Sequence, residues 1–261
     1  MTDFKQHIET NKKAWNKRTP IHIKSNFYNN ENFKKGENSL KTIELNAIGD
    51  VKGKSLLHLQ CHFGQDSISF ARMGAKVTAV DFSDVAIKEA RKISNEINVH
   101  VDFIESNVLE LNIDKEFDVI FSSYGVIGWL PDLDKWAATI ATHLKKGGLF
   151  LLTEFHPFLE LIKDSGYDYF YNPNPDIEIE HGTYTDGGSN LITKTCWWNH
   201  SLTNIFSALE SNGLKLTHFE EFDYSPILLD GMIQKEKGQY ILEKRKKKST
   251  PYVFNLKACK K

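Results

Sequence analysis

Four short runs hold the residues whose types could do chemistry: Gln60-Cys61-His62-Phe63-Gly64, Asp81-Phe82, Tyr124 and Glu154-Phe155-His156-Pro157. A carboxylate such as Asp81, at the end of an apolar run, can accept two hydroxyl donors at once and so select a sugar diol. Glu154 and His156 offer a carboxylate and an imidazole two positions apart, with His156 the stronger candidate for a general base and Tyr124 a phenol near them. A dinucleotide loop would need glycine at three positions that here are Gln60, His62 and Gln65. A pyrophosphate therefore has no close approach to this backbone, whereas a ligand without one does. None of these runs has triad or metal spacing. Cys61, Cys196 and Cys259 are an odd number at unrelated intervals, which fits neither a zinc site nor a disulfide framework.

The elements that must position these residues alternate regularly from Ser55 onward. Ser55–Leu59 reads as a first strand, and Gln65–Met73 as a helix closed by Gly74. A second strand covers Lys76–Val80, and Ser83 caps a helix whose apolar stripe is Ala86, Ala90, Ile93 and Ile97. Val101–Ile104 and Phe117–Phe121 are strands three and four. A helix through Leu133, Ala137, Ile140 and Leu144 leads by Gly147-Gly148 into a fifth strand, Leu149–Thr153. Two β-prone runs, Ile177–Tyr184 and Asn190–Trp198 around Asp186-Gly-Gly188, read as a hairpin insertion before a helix at about 202–211. Lys215–Phe222 and Tyr252–Ala258 are the final strands, with no helix pattern between them, so the last strand should run antiparallel beside the fifth and carry Cys259 to the far end of the sheet. The expected fold is α/β: a Rossmann-like, doubly wound, mostly parallel seven-stranded sheet with an antiparallel last strand, a helical N-terminal lid and a β-hairpin insertion.

The totals bound the function. A chain of 261 residues with 40% hydrophobic and 26% charged residues suits one large domain: lid 1–50, core 51–154, insertion 155–200 and C-terminal helix and strands 201–261. The formal net charge of −1 argues against nucleic acid and anionic membranes as partners, and the basic run Lys244–Lys248 reads as a solvated loop. No stretch approaches 18 apolar residues and the N-terminus has no signal-like apolar region, so a cytoplasmic protein is expected, as monomer or dimer.

The run LLHLQCHFGQDSISFARMGAKVTAVDFS, continued by DVIFSSYGVIGWLPDLDKWA and GGLFLLTEFHPF, resembles a family of class I S-adenosylmethionine-dependent methyltransferases with a QCHFGQD-type loop. "WN" near the N-terminus and "WWNHSL" later are similar too. The resemblance implies an enzyme whose cofactor is S-adenosylmethionine, cradled by Gln60, Cys61, His62 and Gly64. It places the ribose on Asp81, the adenine between Phe82 and the Ser106-Asn107-Val108 turn, and the sulfonium over Ser123 and Tyr124. Asn107 can donate and accept together, as the adenine edge requires. Trp15 and Tyr28, with His22 and Phe27, are expected to form a lid that excludes water.

The methyl acceptor is expected to be a small molecule, in a pocket between the turn after Glu154, the lid and the aromatic insertion. The insertion contributes Tyr167, Tyr169, Phe170, Tyr171, Tyr184, Trp197, Trp198 and His200, which suit a cation or a flat ring. A non-catalytic S-adenosylmethionine-binding protein and an RNA or protein methyltransferase remain as alternatives.

Overall fold

The computed structural model describes residues 4–163 and 168–261. The chain opens with three helices, α1 (Lys5–His22), α2 (Asn30–Lys34) and α3 (Thr42–Ile48). The alternating core follows as β1 (Ser55–Leu59), α4 (Gln65–Arg72), β2 (Lys76–Asp81), α5 (Asp84–Glu96), β3 (Asp102–Glu105), β4 (Phe117–Ser123), α6 (Leu133–His143) and β5 (Leu144–Phe155). The remainder is α7 (Phe158–Lys163), β6 (Asp176–His181), β7 (Ile192–Trp197), α8 (Leu202–Ser211), β8 (Leu214–Phe222), β9 (Met232–Glu236), β10 (Gln239–Leu242) and β11 (Val253–Lys260).

Seven strands form one sheet in the order β3-β2-β1-β4-β5-β11-β8. Strands β1 to β5 pair in parallel, while β11 runs antiparallel to both β5 and β8. Helices cover both faces, so alternate residues of a central strand enter different cores. Leu57 and Leu59 of β1 pack with Trp136 and Ile140 of α6 and Leu209 of α8. Leu56 packs with Phe70 of α4 and Ile87 and Ile93 of α5. Burial on both faces is why β1, β2 and β4 read as continuous apolar runs rather than alternating ones. Cys259 pairs with Leu149, at the opposite end of the sheet from the loop after β1.

The expected strands, the Ser83 cap and the antiparallel last strand all appear, with boundaries moved by a few residues. Two elements differ. The helical N-terminal lid begins with a single long helix, the 18-residue α1, whose length the sequence does not mark. Its buried positions are Asn11, Ala14, Arg18, Thr19 and His22. That spacing is helical, but most of the residues are polar, so no apolar stripe marks it. The hairpin β9–β10, turning at Gly238 with φ +73°, is the second addition. Of the inserted aromatics, Tyr167 lies outside the described residues. No helix among the described residues is long and apolar enough to cross a membrane.

Gly64 is the residue on which the first crossover turns. Its φ is +79°, and a Cβ there would lie 2.6 Å from the Phe103 ring and 3.1 Å from Ala90. Both the backbone conformation and the helix–strand contact therefore require glycine. Gly64→Ala should lower stability by about 1–3 kcal/mol. Urea unfolding of the variant beside the parent checks this; an unchanged midpoint would contradict it.

Candidate active site

The ends of β1 to β5 open into one cleft of about 790 Å³, lined by every residue proposed from the sequence to hold the cofactor. The loop after β1 forms its floor. Gln60, His62 and Gly64 have φ of +57°, +52° and +79°. Two side-chain-bearing residues thus take a conformation that glycine takes freely, at about 1–2 kcal/mol each. Asp81 holds His62 there, and Gln60 is tied through its side chain to Val126 O. Asp81 Oδ2 accepts the His62 N–H at 2.8 Å and its Oδ1 accepts the Ser83 N–H at 2.8 Å. Burial pushes the Asp81 carboxyl up to about 6, against the pull of these N–H donors. The remaining lone pairs on both oxygens can take hydroxyl donors from the cleft.

Asn107 closes the adjacent corner. Its Oδ1 accepts the Leu109 N–H at 3.1 Å, so the carbonyl end builds the turn and the amide N–H groups remain for a ligand. Gln60 donates from Nε2 to Val126 O at 3.0 Å, while its buried Oε1 has no partner among the described residues. An acceptor stranded in a cleft wall suits a cationic donor on a ligand.

The roof comes from α1 and the β6–β7 hairpin. Trp15 lies 5.1 Å from the His62 ring, and the Arg18 guanidinium sits over both Trp15 and Trp129 while pairing with Glu180 at 2.8 Å. His22 Nδ1 meets His62 Nε2 at 3.1 Å and His22 Nε2 meets Thr183 Oγ1 at 2.7 Å. Burial, with Arg18 nearby, lowers His22 to about 3 and holds His62 well below the imidazole range, so both rings are neutral. The Tyr28 and Tyr184 hydroxyls share a 2.6 Å hydrogen bond across the same seam. The lid is therefore a bonded cover whose parts, around His22 and Tyr184, lie 162 positions apart in the chain.

The acceptor side needs a correction. Glu154 and His156, proposed as catalytic groups, do not line this cleft. Glu154 is buried and its carboxylate accepts the backbone N–H groups of Gly125, Val126, Ile127 and Phe155, leaving it a clamp on the turn after β4. His156 lines a small separate pocket; its Nδ1 accepts the Phe158 N–H at 3.1 Å and its Nε2 lies 2.9 Å from Glu221. Tyr124 does line the cleft, and its hydroxyl donates to Glu44 Oε2 at 2.7 Å.

Glu44 was not foreseen. It reaches the cleft from α3, 1% exposed, and burial beside Asp66 raises its carboxyl to about 7. Asp66, within the quoted loop, accepts from Ser39 Oγ at 2.6 Å. The segment Pro226–Leu229 and Tyr240, also unforeseen, supply an apolar outer wall. Among the described residues no group of three or more His, Cys, Asp or Glu could hold a metal ion.

Residues 56–148 match the family model described as a methyltransferase domain. The chain is similar to the ubiquinone biosynthesis O-methyltransferase of Paramagnetospirillum magneticum, 32% identical over 100 residues. That match covers 38% of this chain and 40% of that enzyme's length. In three dimensions it is similar to an S-adenosylmethionine-dependent methyltransferase from Clostridium acetobutylicum, with TM-score 0.60, 15% identity, and coverage of 96% of this chain and 98% of that one. The glycopeptide N-methyltransferase MtfA in complex with S-adenosylmethionine gives TM-score 0.55 at 16% identity, covering 85% and 88%. The fold is thus the Rossmann-like fold of class I methyltransferases, with the extra hairpins and N-terminal helices described above.

The Glu44 carboxyl has a pH signature. Its folded pKa of about 7 lies above the ordinary 4.5, so the folded state keeps a proton that the unfolded state releases. Stability contributed at this site falls as pH rises from about 4.5 to 7. Glu44→Gln should therefore gain on the parent across that window, by at most about 3 kcal/mol, and stay level above it. Chemical unfolding at pH 5 and pH 8 reads the difference; an equal gap at both would contradict the assignment.

Proposed function

We propose that this protein is an S-adenosylmethionine-dependent methyltransferase acting on a small-molecule acceptor by in-line methyl transfer. The observation that carries the reading is the loop Gln60–Gly64, whose His62 is held in its left-handed conformation by the same Asp81 carboxylate that faces the cleft. The methyltransferase-domain match over 56–148 and the fold of the compared structures support it. The residues present fit the cofactor. Asp81 has acceptor capacity left for ribose hydroxyls, the Asn107 amide can meet a base edge, and the orphaned Gln60 Oε1 can accept from the amino-acid ammonium.

When bound, the cofactor supplies an activated methyl on a sulfonium. The chain supplies position. Asp81 and Asn107 fix the nucleoside, and Ser123 and Tyr124 lie at the β4 end beside the methyl's exit. Holding donor and nucleophile in line can itself lower the barrier by roughly 7–11 kcal/mol. Trp15, Tyr28 and His62 close the roof and keep water from competing. A small acceptor is supported by the roofed cleft and by the relative, which is named for ubiquinone biosynthesis.

S-adenosylhomocysteine should raise the melting temperature, and NAD should not. At one hundred times its dissociation constant a ligand adds about 2.7 kcal/mol. A shift with NAD alone would overturn the reading. Asp81→Asn should weaken S-adenosylhomocysteine binding more than about tenfold and lose part of the loop's bracing, because its NH2 cannot accept one of the two N–H groups that His62 and Ser83 donate. Asp81→Ala should lose more stability, about 1–3 kcal/mol, because both N–H groups lose their acceptor. Calorimetric titration and unfolding separate the two effects; parental affinity in Asp81→Asn would show that the carboxylate only braces the loop.

A further inference from the structure

The turn after β4 is held in a costly shape for which the cofactor half of the site gives no reason. Tyr124 has φ +37°, a left-handed conformation that a bulky side chain adopts only under constraint. The constraint is visible. The Tyr124 N–H donates to Thr153 O at 2.8 Å, and the next three N–H groups donate to the buried Glu154 carboxylate. What this arrangement achieves is the placement of one hydroxyl: Tyr124 Oη, in the cleft wall, donating to Glu44 Oε2. The other Glu44 oxygen accepts the Lys41 N–H. Among the described residues no cation pairs with Glu44, and the wall beyond is apolar, with Phe155, Ile227 and Leu229. The titratable groups facing the pair are Asp66 of α4 and Tyr224, with Lys41 lining the same cleft.

Position along the sheet edge says what the pair faces. In the order β3, β2, β1, β4, β5 the strand ends carry Asn107, Asp81, the Gln60–Gly64 loop, Tyr124 and Phe155. A nucleoside sulfonium with its base at Asn107 and its ribose on Asp81 must direct its sulfur past the β1 loop, toward Tyr124. Resting on the methyltransferase reading above, we propose that Tyr124 and Glu44 form a proton relay for an acceptor whose reacting nitrogen or oxygen carries a hydrogen. The acceptor's lone pair bonds the methyl carbon as the sulfur–carbon pair returns to sulfur. The acceptor's proton passes to Tyr124 Oη, and the tyrosine proton passes to Glu44 Oε2. A sulfonium and a carboxylate thereby become a thioether and a carboxylic acid, so the step removes two opposite charges together and leaves no new unpaired one.

Two stable probes test this without knowing the acceptor: S-adenosylhomocysteine, neutral at sulfur, and sinefungin, which presents an ammonium where the methyl group stands. The full chain is titrated calorimetrically at pH 7 in two buffers of different ionisation enthalpy, which yields both affinity and protons released. Sinefungin should bind about tenfold or more tightly than S-adenosylhomocysteine and release more protons, as its ammonium ionises Glu44. In Glu44→Gln the preference and the extra release should both collapse, and Glu44→Asp should restore part of them. Equal affinities and equal proton counts for the two probes in the parent protein would overturn the relay, whether or not the variants fold. So would loss of the difference in Asp66→Asn with its retention in Glu44→Gln, because the carboxylate concerned would then be Asp66. If neither probe binds the parent protein, the methyltransferase reading itself fails, and the relay with it.

Discussion

The site depends on one carboxylate holding two backbone N–H groups. Asp81 accepts from His62 and from Ser83, tying the loop after β1 to the turn after β2. It holds His62 at positive φ, while the Cys61 N–H on Val80 O and the Gln60 Nε2 on Val126 O hold the neighbouring residues. The strain is of order 1–2 kcal/mol per residue, and charge-assisted hydrogen bonds are large enough to offset it. The arrangement replaces glycine's conformational freedom with an enforced conformation. It also leaves side chains in the loop: Gln60 reaches Val126 and His62 reaches the lid. A glycine loop could make neither contact.

Glu154 repeats the device on the other side of the cleft. Four N–H groups converge on it, so an acid that looks catalytic in sequence is instead the anchor of the β4 turn. Its burial raises the carboxyl pKa while the four donors lower it. The two clamps set the two halves of the cleft: Asp81 the side proposed for the nucleoside, Glu154 the side where Tyr124 meets Glu44. Lid and floor meet through neutral histidines, His22 against His62, while Lys12 ties α1 to Asp84 and Glu105 of the core.

The core was legible because its signals are local. Parallel strands buried on both faces appear as apolar runs, Ser83 caps α5 through Ala86 N–H, and Gly64 and Gly74 punctuate α4. That the loop, Asp81 and Asn107 line one cleft was legible for the same reason, since they follow successive strands. Glu44 was not, because its meaning comes from Tyr124, eighty positions away. Glu154 and His156 misled because residues adjacent on a strand point to opposite faces, and being at a strand end does not say which cavity a side chain enters. The length of α1 was hidden by its polar buried face, Asn11 to Cys196 and Arg18 to Glu180, which carries the helical period with few apolar residues.

On the proposed reading an adenosyl ligand lies in the cleft with its ribose on Asp81 and its sulfur toward Tyr124. A crystal structure with S-adenosylhomocysteine should then show both ribose hydroxyls within hydrogen-bonding distance of the Asp81 carboxylate, the adenine edge at Asn107 and the sulfur nearest the Tyr124–Glu44 pair. A ligand lying in the reverse sense, with its adenine against Tyr124 or its ribose away from Asp81, would contradict it.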